Sequence, residues 1–276
     1  MTVAKRILVA VIFVPLLFIV MFFLPPIVMT VVVAFISALA CYELLRAAGE
    51  GKVSLPMKVI SVLAAAVIPF GAWLNAAKMT VGACAFLVMA VSFECAIHAY
   101  DENESPIGFY HVMLTLFGGI LIPTGLSSLV ILKCMEHGKY LVLLAVMLAF
   151  ITDGGAYFAG VFFGKHRGIT RVSPNKSLEG YIGGFLTGVI AALIYGMIVQ
   201  AASGMQVHFL PLVLCGLFGA AATELGDLSF SLIKRQYDVK DYGHLLPGHG
   251  GMLDRFDSMI FCAPVVVFIV TLLPVF

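Results

Sequence analysis

Apolar runs of membrane-spanning length recur nine times along the chain, at roughly residues 7–24, 26–43, 57–77, 80–98, 108–132, 140–163, 180–201, 207–231 and 257–276. A helix needs about 20 largely apolar residues to cross the hydrocarbon core, and inside lipid the backbone must satisfy its own hydrogen bonds. Nine such runs predict an all-α polytopic membrane protein. Composition points the same way: the chain is 62% hydrophobic and only 11% charged, whereas a soluble domain carries about 25% charged residues. Pro25 and Pro26 alone separate the first two runs, so a tight hairpin and a broken single element both fit there, and counts of eight to ten stay open. The basic start, MTVAKR, resembles a secretory leader, but no small-x-small cleavage pattern follows it, and the first run is read as a span.

Basic residues set the expected orientation, because cytoplasmic loops carry the Lys/Arg excess. With the N-terminus inside, that side holds Lys5, Arg6, Arg46, Lys52, Lys58, Lys165, Arg167, Arg171, Lys176, Lys234, Arg235, Lys240 and Arg255, which is 13 of the 16 basic residues. Lys78, Lys133 and Lys139 fall on the other side. The expectation is a multi-pass protein of the cell (inner) membrane with a cytoplasmic N-terminus. The six cysteines are scattered through apolar runs with no CxxC pair, which suits small buried hydrophobes. A net charge of +1 and the absence of any Lys/Arg stripe with interleaved aromatics give no sign of nucleic acid as a partner.

No repeat or low-complexity linker divides the chain, so residues 1–276 are read as one membrane domain. Residues 1–132 form an N-terminal helical array, and residues 140–276 form the part that carries chemistry, with cytoplasmic loops at 164–179 and 232–256. An ionised carboxylate in the bilayer costs roughly 3 kcal/mol on insertion scales and needs a partner or a wet cavity. In ATELGDLSFSLIKR, Glu224, Asp227, Ser231 and Lys234 follow i, i+3, i+7, i+10 spacing and share one helical face. A packed polar seam would produce that stripe, and so would the wall of an active cleft.

The segment LPGHGGMLDRFDS, just before the last apolar run, adds Asp254 and Asp257, three residues apart, with Arg255, His249, Gly250 and Gly251. With Asp227, the two aspartates form a candidate oxygen-donor set for Mg²⁺, and Lys234, Arg235 and Arg255 form a candidate phosphate-neutralising set. Gly250 and Gly251 would let backbone amides approach a phosphate, although a plain turn before a helix asks for the same residues. His249 fits a phosphate contact or a loop anchor. In GKHRGITRVSPNKSLEG, Ser173, Lys176 and Ser177 offer hydroxyl and ammonium donors, within a basic loop that topology or anionic lipid would also favour. No GxxxxGK[ST] pattern occurs, which excludes a P-loop. Asp153, in FITDGGAYFAG, divides evenly between a satisfied buried carboxylate and a cleft residue, while Glu43, Glu94, His98, His111 and His208 read as structural.

From Ser231 to Asp257, SLIKRQYDVKDYGHLLPGHGGMLDRFD resembles the C-terminal signature of the phosphatidate cytidylyltransferase (CDP-diacylglycerol synthase) family, at Ser231, Lys234, Arg235, Lys240, Asp241, Gly243, Pro247, His249, Gly250, Gly251, Asp254, Arg255 and Asp257. SPNKSLEG resembles the family's SPxKTxEG loop with Ser177 in place of Thr, and DGGAYFAGVFFGKHRG resembles its D-T-x-A-Y-x-x-G stretch with Gly154 in place of Thr. Together these cover about residues 150 to 258.

The resemblance implies transfer of a cytidylyl group from CTP to phosphatidate, giving CDP-diacylglycerol and pyrophosphate at the cytoplasmic face, with Mg²⁺ required. It implies one or two metal ions at Asp227, Asp254 and Asp257, and charge neutralisation by Lys234, Arg235 and Arg255 with Ser231 positioning a phosphate. Substrate contacts would come from Ser173, Lys176, Ser177, Lys240, His249, Gly250 and Gly251. CTP, phosphatidate and the bilayer are the implied partners, and self-association is left open. Another nucleotide-dependent lipid-phosphate transferase or kinase is the nearest alternative. An ion-coupled secondary transporter using Asp153, Glu224 and Asp227 is a more distant one.

Overall fold

A computed structural model of the protein describes residues 15–102, 107–243 and 250–276. Among them, eight helices are long and apolar enough to cross a membrane. These are α1 (Pro26–Ala48), α2 (Leu55–Trp73), α3 (Ala77–Asp101), α4 (Phe109–Cys134), α5 (Gly138–Phe163), α6 (Leu178–Ser203), α7 (Phe209–Gln236) and α8 (Leu253–Leu272). The first expected span, 7–24, lies partly outside the described residues. Its described end is helical over 15–22 and stops before Pro25, and Pro26 then opens α1, where its fixed φ and missing N–H cost nothing. The chain is therefore an all-α protein built from membrane-length helices.

The helices fall into two compact units, one of residues 1–134 and 236–256 and one of residues 135–235 and 257–276. Of the segment before α8, the described residues 236–243 and 250–256 group with the N-terminal helices. In the first unit Ala64 and Ile68 of α2 pack with Cys84 and Val88 of α3 and Ile120 of α4. Midway along α4, Phe117–Leu121 winds as a π turn. There a Cβ on Gly119 would sit 3.0 Å from the Cα of Ser61, so only glycine lets α4 approach α2 so closely. Lys133, counted in a loop by the basic-residue pattern, is buried in the last turn of α4, and its ammonium donates to the carbonyl of Met21. A carbonyl acceptor meets the need of a buried ammonium for a partner.

In the second unit α5 and α6 pack through small residues: Gly155 meets Thr187, Ala159 meets Gly183, and Gly160 meets Gly180. Small side chains allow the close backbone approach that drives association where the hydrophobic effect is weak. α7 continues the packing, with Gly216 against Val189 and Gly188 against Ala220. Leu186, Ile190, Ile194, Met197 and Ile198 of α6 are exposed along one face, as a lipid-facing helix requires.

Candidate active site

The loop between α5 and α6 is ordered by its own backbone before it presents any side chain. Arg167 and Ser177 form an antiparallel bridge, and Leu178 N donates to the carbonyl of His166. Ser177 Oγ accepts from Gly180 N at 3.1 Å and is buried, so it serves as the N-cap of α6. Glu179 clasps His166, with Oε1 2.6 Å from Nδ1. Ser173 N donates to Thr170 Oγ1, which tightens the turn that precedes Lys176.

That turn delivers Lys176 to α7. Its Nζ lies 2.7 Å from Glu224 Oε2 and 2.7 Å from Asp227 Oδ2, one ammonium bridging two carboxylates three residues apart. The shared face expected for Glu224 and Asp227 is thereby explained by i, i+3 geometry. Burial works against the Lys176 ammonium, but the charges of Asp227 and Glu224 and their hydrogen bonds outweigh it, and its pKa lies above the ordinary lysine value. Glu224 Oε1 faces Gly184 with no hydrogen-bond partner among the described residues. At the end of α7, Arg235 Nε donates to the Val172 carbonyl at 3.3 Å, so two cations tie the loop to this helix. Ser231 and Lys234 are half-buried on the same helix.

Asp153 joins the group from α5. Its Oδ2 accepts from Ser258 Oγ at 2.8 Å, and the same hydroxyl lies 3.3 Å from Asp257 Oδ1. Asp153 is also within electrostatic reach of Asp227, Asp257 and Lys176. Gly226 makes this possible: a Cβ there would lie 2.9 Å from the carbonyl oxygen of Asp257 and 3.1 Å from the Cα of Ser258. Because both neighbours are backbone, Gly226→Ala is expected to push α7 from α8, costing about 1–3 kcal/mol as other overpacking changes do. Thermal unfolding of the detergent-solubilised protein would read that cost, and turnover should fall with it because Asp227 moves away from Asp257.

In the first unit, Asp254 accepts from Tyr242 N at 2.8 Å and Gly251 N at 3.0 Å, both on Oδ2. Gly250 has φ +83°, a left-handed value that glycine adopts without strain. Lys240 and Arg255 are exposed. His249 and Pro247 lie outside the described residues.

The donor chemistry suits a hard divalent cation: Asp153, Asp227 and Asp257 offer only oxygens, and their gathered negative charge calls for a counter-charge. Among the described residues no three His, Cys, Asp or Glu side chains stand close enough to hold a metal ion as they are. Lys176 fills the cation place between Glu224 and Asp227.

The sequence pattern alone does not place Glu224 among the site residues, and it reads Glu43 as structural. Glu224 was visible as part of the intramembrane stripe, but its partner lies 48 residues away. Glu43, buried on α1, accepts from Met252 N at 3.0 Å and Leu253 N at 2.8 Å. The one signal for it in the sequence is an acidic residue at the end of an apolar run.

Comparison with known proteins finds relatives of similar sequence. Phosphatidate cytidylyltransferase of Bacillus subtilis (strain 168) is 40% identical over 137 residues, covering 50% of this chain and 49% of that protein. Phosphatidate cytidylyltransferase of Staphylococcus epidermidis is 38% identical over 140 residues, 51% of this chain and 52% of the relative. The uncharacterized protein YnbB of Escherichia coli (strain K12) is 39% identical over 166 residues, 58% and 54%. The chain thus spans about half the length of the curated relatives it matches. Residues 4–273 match the cytidylyltransferase family as a whole, and with nearly the full length covered, the chain belongs to that family.

Proposed function

We propose that the protein transfers the cytidylyl group of CTP to phosphatidate, giving CDP-diacylglycerol and pyrophosphate for phospholipid synthesis. The observation that carries the reading is Lys176 held on Glu224 and Asp227 beside the Asp153–Ser258–Asp257 group, an arrangement of cation and carboxylates suited to polyphosphate. Membership of the cytidylyltransferase family and the named relatives support it. In this reaction a phosphatidate oxygen bonds to the α-phosphorus of CTP, the bond from that phosphorus to the bridging oxygen breaks, and pyrophosphate leaves. The attacking oxygen is already ionised near neutral pH, so no general base is demanded.

Both substrates are polyanions, and charge neutralisation is what the site must supply. Lys176, Lys234, Arg235 and Arg255 are assigned to it. Ser231 and Gly250 are assigned to positioning a phosphate, and Ser173, Lys240 and His249 to substrate contact; the Gly251 amide is already given to Asp254. Ser177 shapes the loop that presents Lys176. Mg²⁺, one ion or two, is the implied cofactor, and when bound it screens the reacting phosphates. Asp227 and Asp257, with Asp153, are the residues of the second unit that would hold it, while Asp254 in the first unit accepts from the amides of Tyr242 and Gly251. The reading takes the chain as a single membrane enzyme of nine spans in the cell (inner) membrane, with N-terminus and active site cytoplasmic, because 13 of 16 basic residues then face inward. One substrate cannot leave the bilayer and the other cannot enter it, so the chemistry belongs at that interface.

Analysis of the soluble product tests the reaction type. Purified protein with phosphatidate, Mg²⁺ and CTP is expected to release pyrophosphate in step with phosphatidate consumption. Release of a nucleoside diphosphate instead would make the protein a lipid kinase and overturn the assignment.

A further inference from the structure

The N-terminal helices carry none of the motifs that point to chemistry, yet one of their side chains reaches into the segment that does. Glu43 on α1 is buried, 6% exposed, and its two oxygens divide between consecutive amides: Oε1 takes Met252 N and Oε2 takes Leu253 N. Those amides open α8, where a helix has unsatisfied donors and a partial positive charge. Caps normally come from the residue just before a helix, whereas this one comes from 209 and 210 residues away. Its surroundings leave no slack. A Cβ on Gly243 or on Gly251 would run into the Glu43 carboxylate. Asp254 then fastens the same turn from within, through Tyr242 N and Gly251 N. Two carboxylates thus hold four backbone amides between residues 242 and 253.

We propose that Glu43 is a positioning residue for the reaction: it fixes the register of residues 250–253 and, through them, the direction in which α8 presents Asp254 and Arg255. The inference rests on the cytidylyl-transfer reading. It has a corollary for substrate binding. The amides of Met252 and Leu253 are occupied by Glu43 and that of Gly251 by Asp254, so the N-terminus of α8 is not itself the phosphate seat, and phosphate recognition on this segment falls to side chains such as Arg255. The apolar N-terminal array thereby contributes to chemistry through one residue.

The test compares wild type, Glu43→Gln, Gly243→Ala, Arg255→Ala and the Glu43→Gln/Arg255→Ala double variant, as full chains in detergent with phosphatidate, Mg²⁺ and CTP. Gln keeps one acceptor but turns an amide donor toward a backbone N–H. Gly243→Ala displaces the carboxylate without changing its charge, and carries the same test if Glu43→Gln does not fold. The expected result is a kcat lower by roughly 100-fold, the scale of a misplacement of about 1 Å in a reacting assembly, with the CTP KM changed by less than about threefold. The double variant should be little slower than Arg255→Ala alone, because coupled residues are non-additive. Hydrogen exchange should quicken at residues 250–255 and stay unchanged in α5 and α6. Unaltered kcat in a folded variant, or fully additive losses with Arg255→Ala, would reduce Glu43 to a structural cap and overturn the inference. A wild type that makes no lipid-linked nucleotide overturns the underlying reading instead.

Discussion

Lys176→Ala is expected to lower stability by about 3 kcal/mol, the scale of breaking a buried ion pair by removing one partner, and to abolish most turnover. The variant leaves Glu224, 4% exposed, and Asp227 facing one another without the ammonium that both contact. Their repulsion, together with desolvation, makes the loss larger than for a surface pair, which is worth about 0–1 kcal/mol. Lys176→Arg keeps the charge and should recover a large part of the stability. The sign of the pH dependence follows from the raised pKa of Lys176. A raised lysine stabilises fully below its unfolded value of about 10.4 and ceases to do so only as pH climbs through the folded value. Thermal unfolding in detergent should therefore show the wild-type advantage over Lys176→Ala undiminished from pH 6 to pH 9. An advantage that fades within that range would contradict the bridge.

Asp227→Asn is the second large effect. Asn keeps an oxygen for Lys176, so the fold should survive, but the negative charge shared with Asp153 and Asp257 is reduced. Turnover is expected to fall by roughly 10²–10³-fold, as when a preorganised electrostatic group is removed from an active site. The Mg²⁺ concentration for half-maximal rate should rise in the same variant. A steady-state titration of rate against Mg²⁺ measures both. Unchanged turnover would make Asp227 no more than the partner of Lys176.

The helices were legible from hydrophobic runs because lipid leaves the chain no other way to satisfy its backbone. The expected spans and α1 to α8 differ mainly at their ends. α7 runs on to Gln236, past the apolar run that ends near 231, because a lysine and an arginine continue a helix well once it has left the apolar stretch. The i, i+3 pair Glu224 and Asp227 was legible too, since local spacing decides which side chains share a face. What joins them to Lys176, and Glu43 to Met252 and Leu253, is tertiary contact across 48 and more than 200 residues, which a local pattern cannot encode. Gly226 and Gly119 look alike in the sequence to any other glycine in a span. Their role appears only when the neighbouring backbone is seen 3 Å from where a Cβ would stand. Ser177 shows the opposite limit: a hydroxyl beside a lysine invites a ligand, while the fold uses it to cap α6.

The most direct measurement is label transfer by the purified protein, using CTP labelled at the α-phosphorus with phosphatidate and Mg²⁺, beside Asp257→Asn. Label is expected in a chloroform-soluble product with wild type, dependent on phosphatidate, and at least about 10²-fold less with the variant. Label that stays in the aqueous phase with folded wild-type protein and phosphatidate present would contradict the assigned reaction.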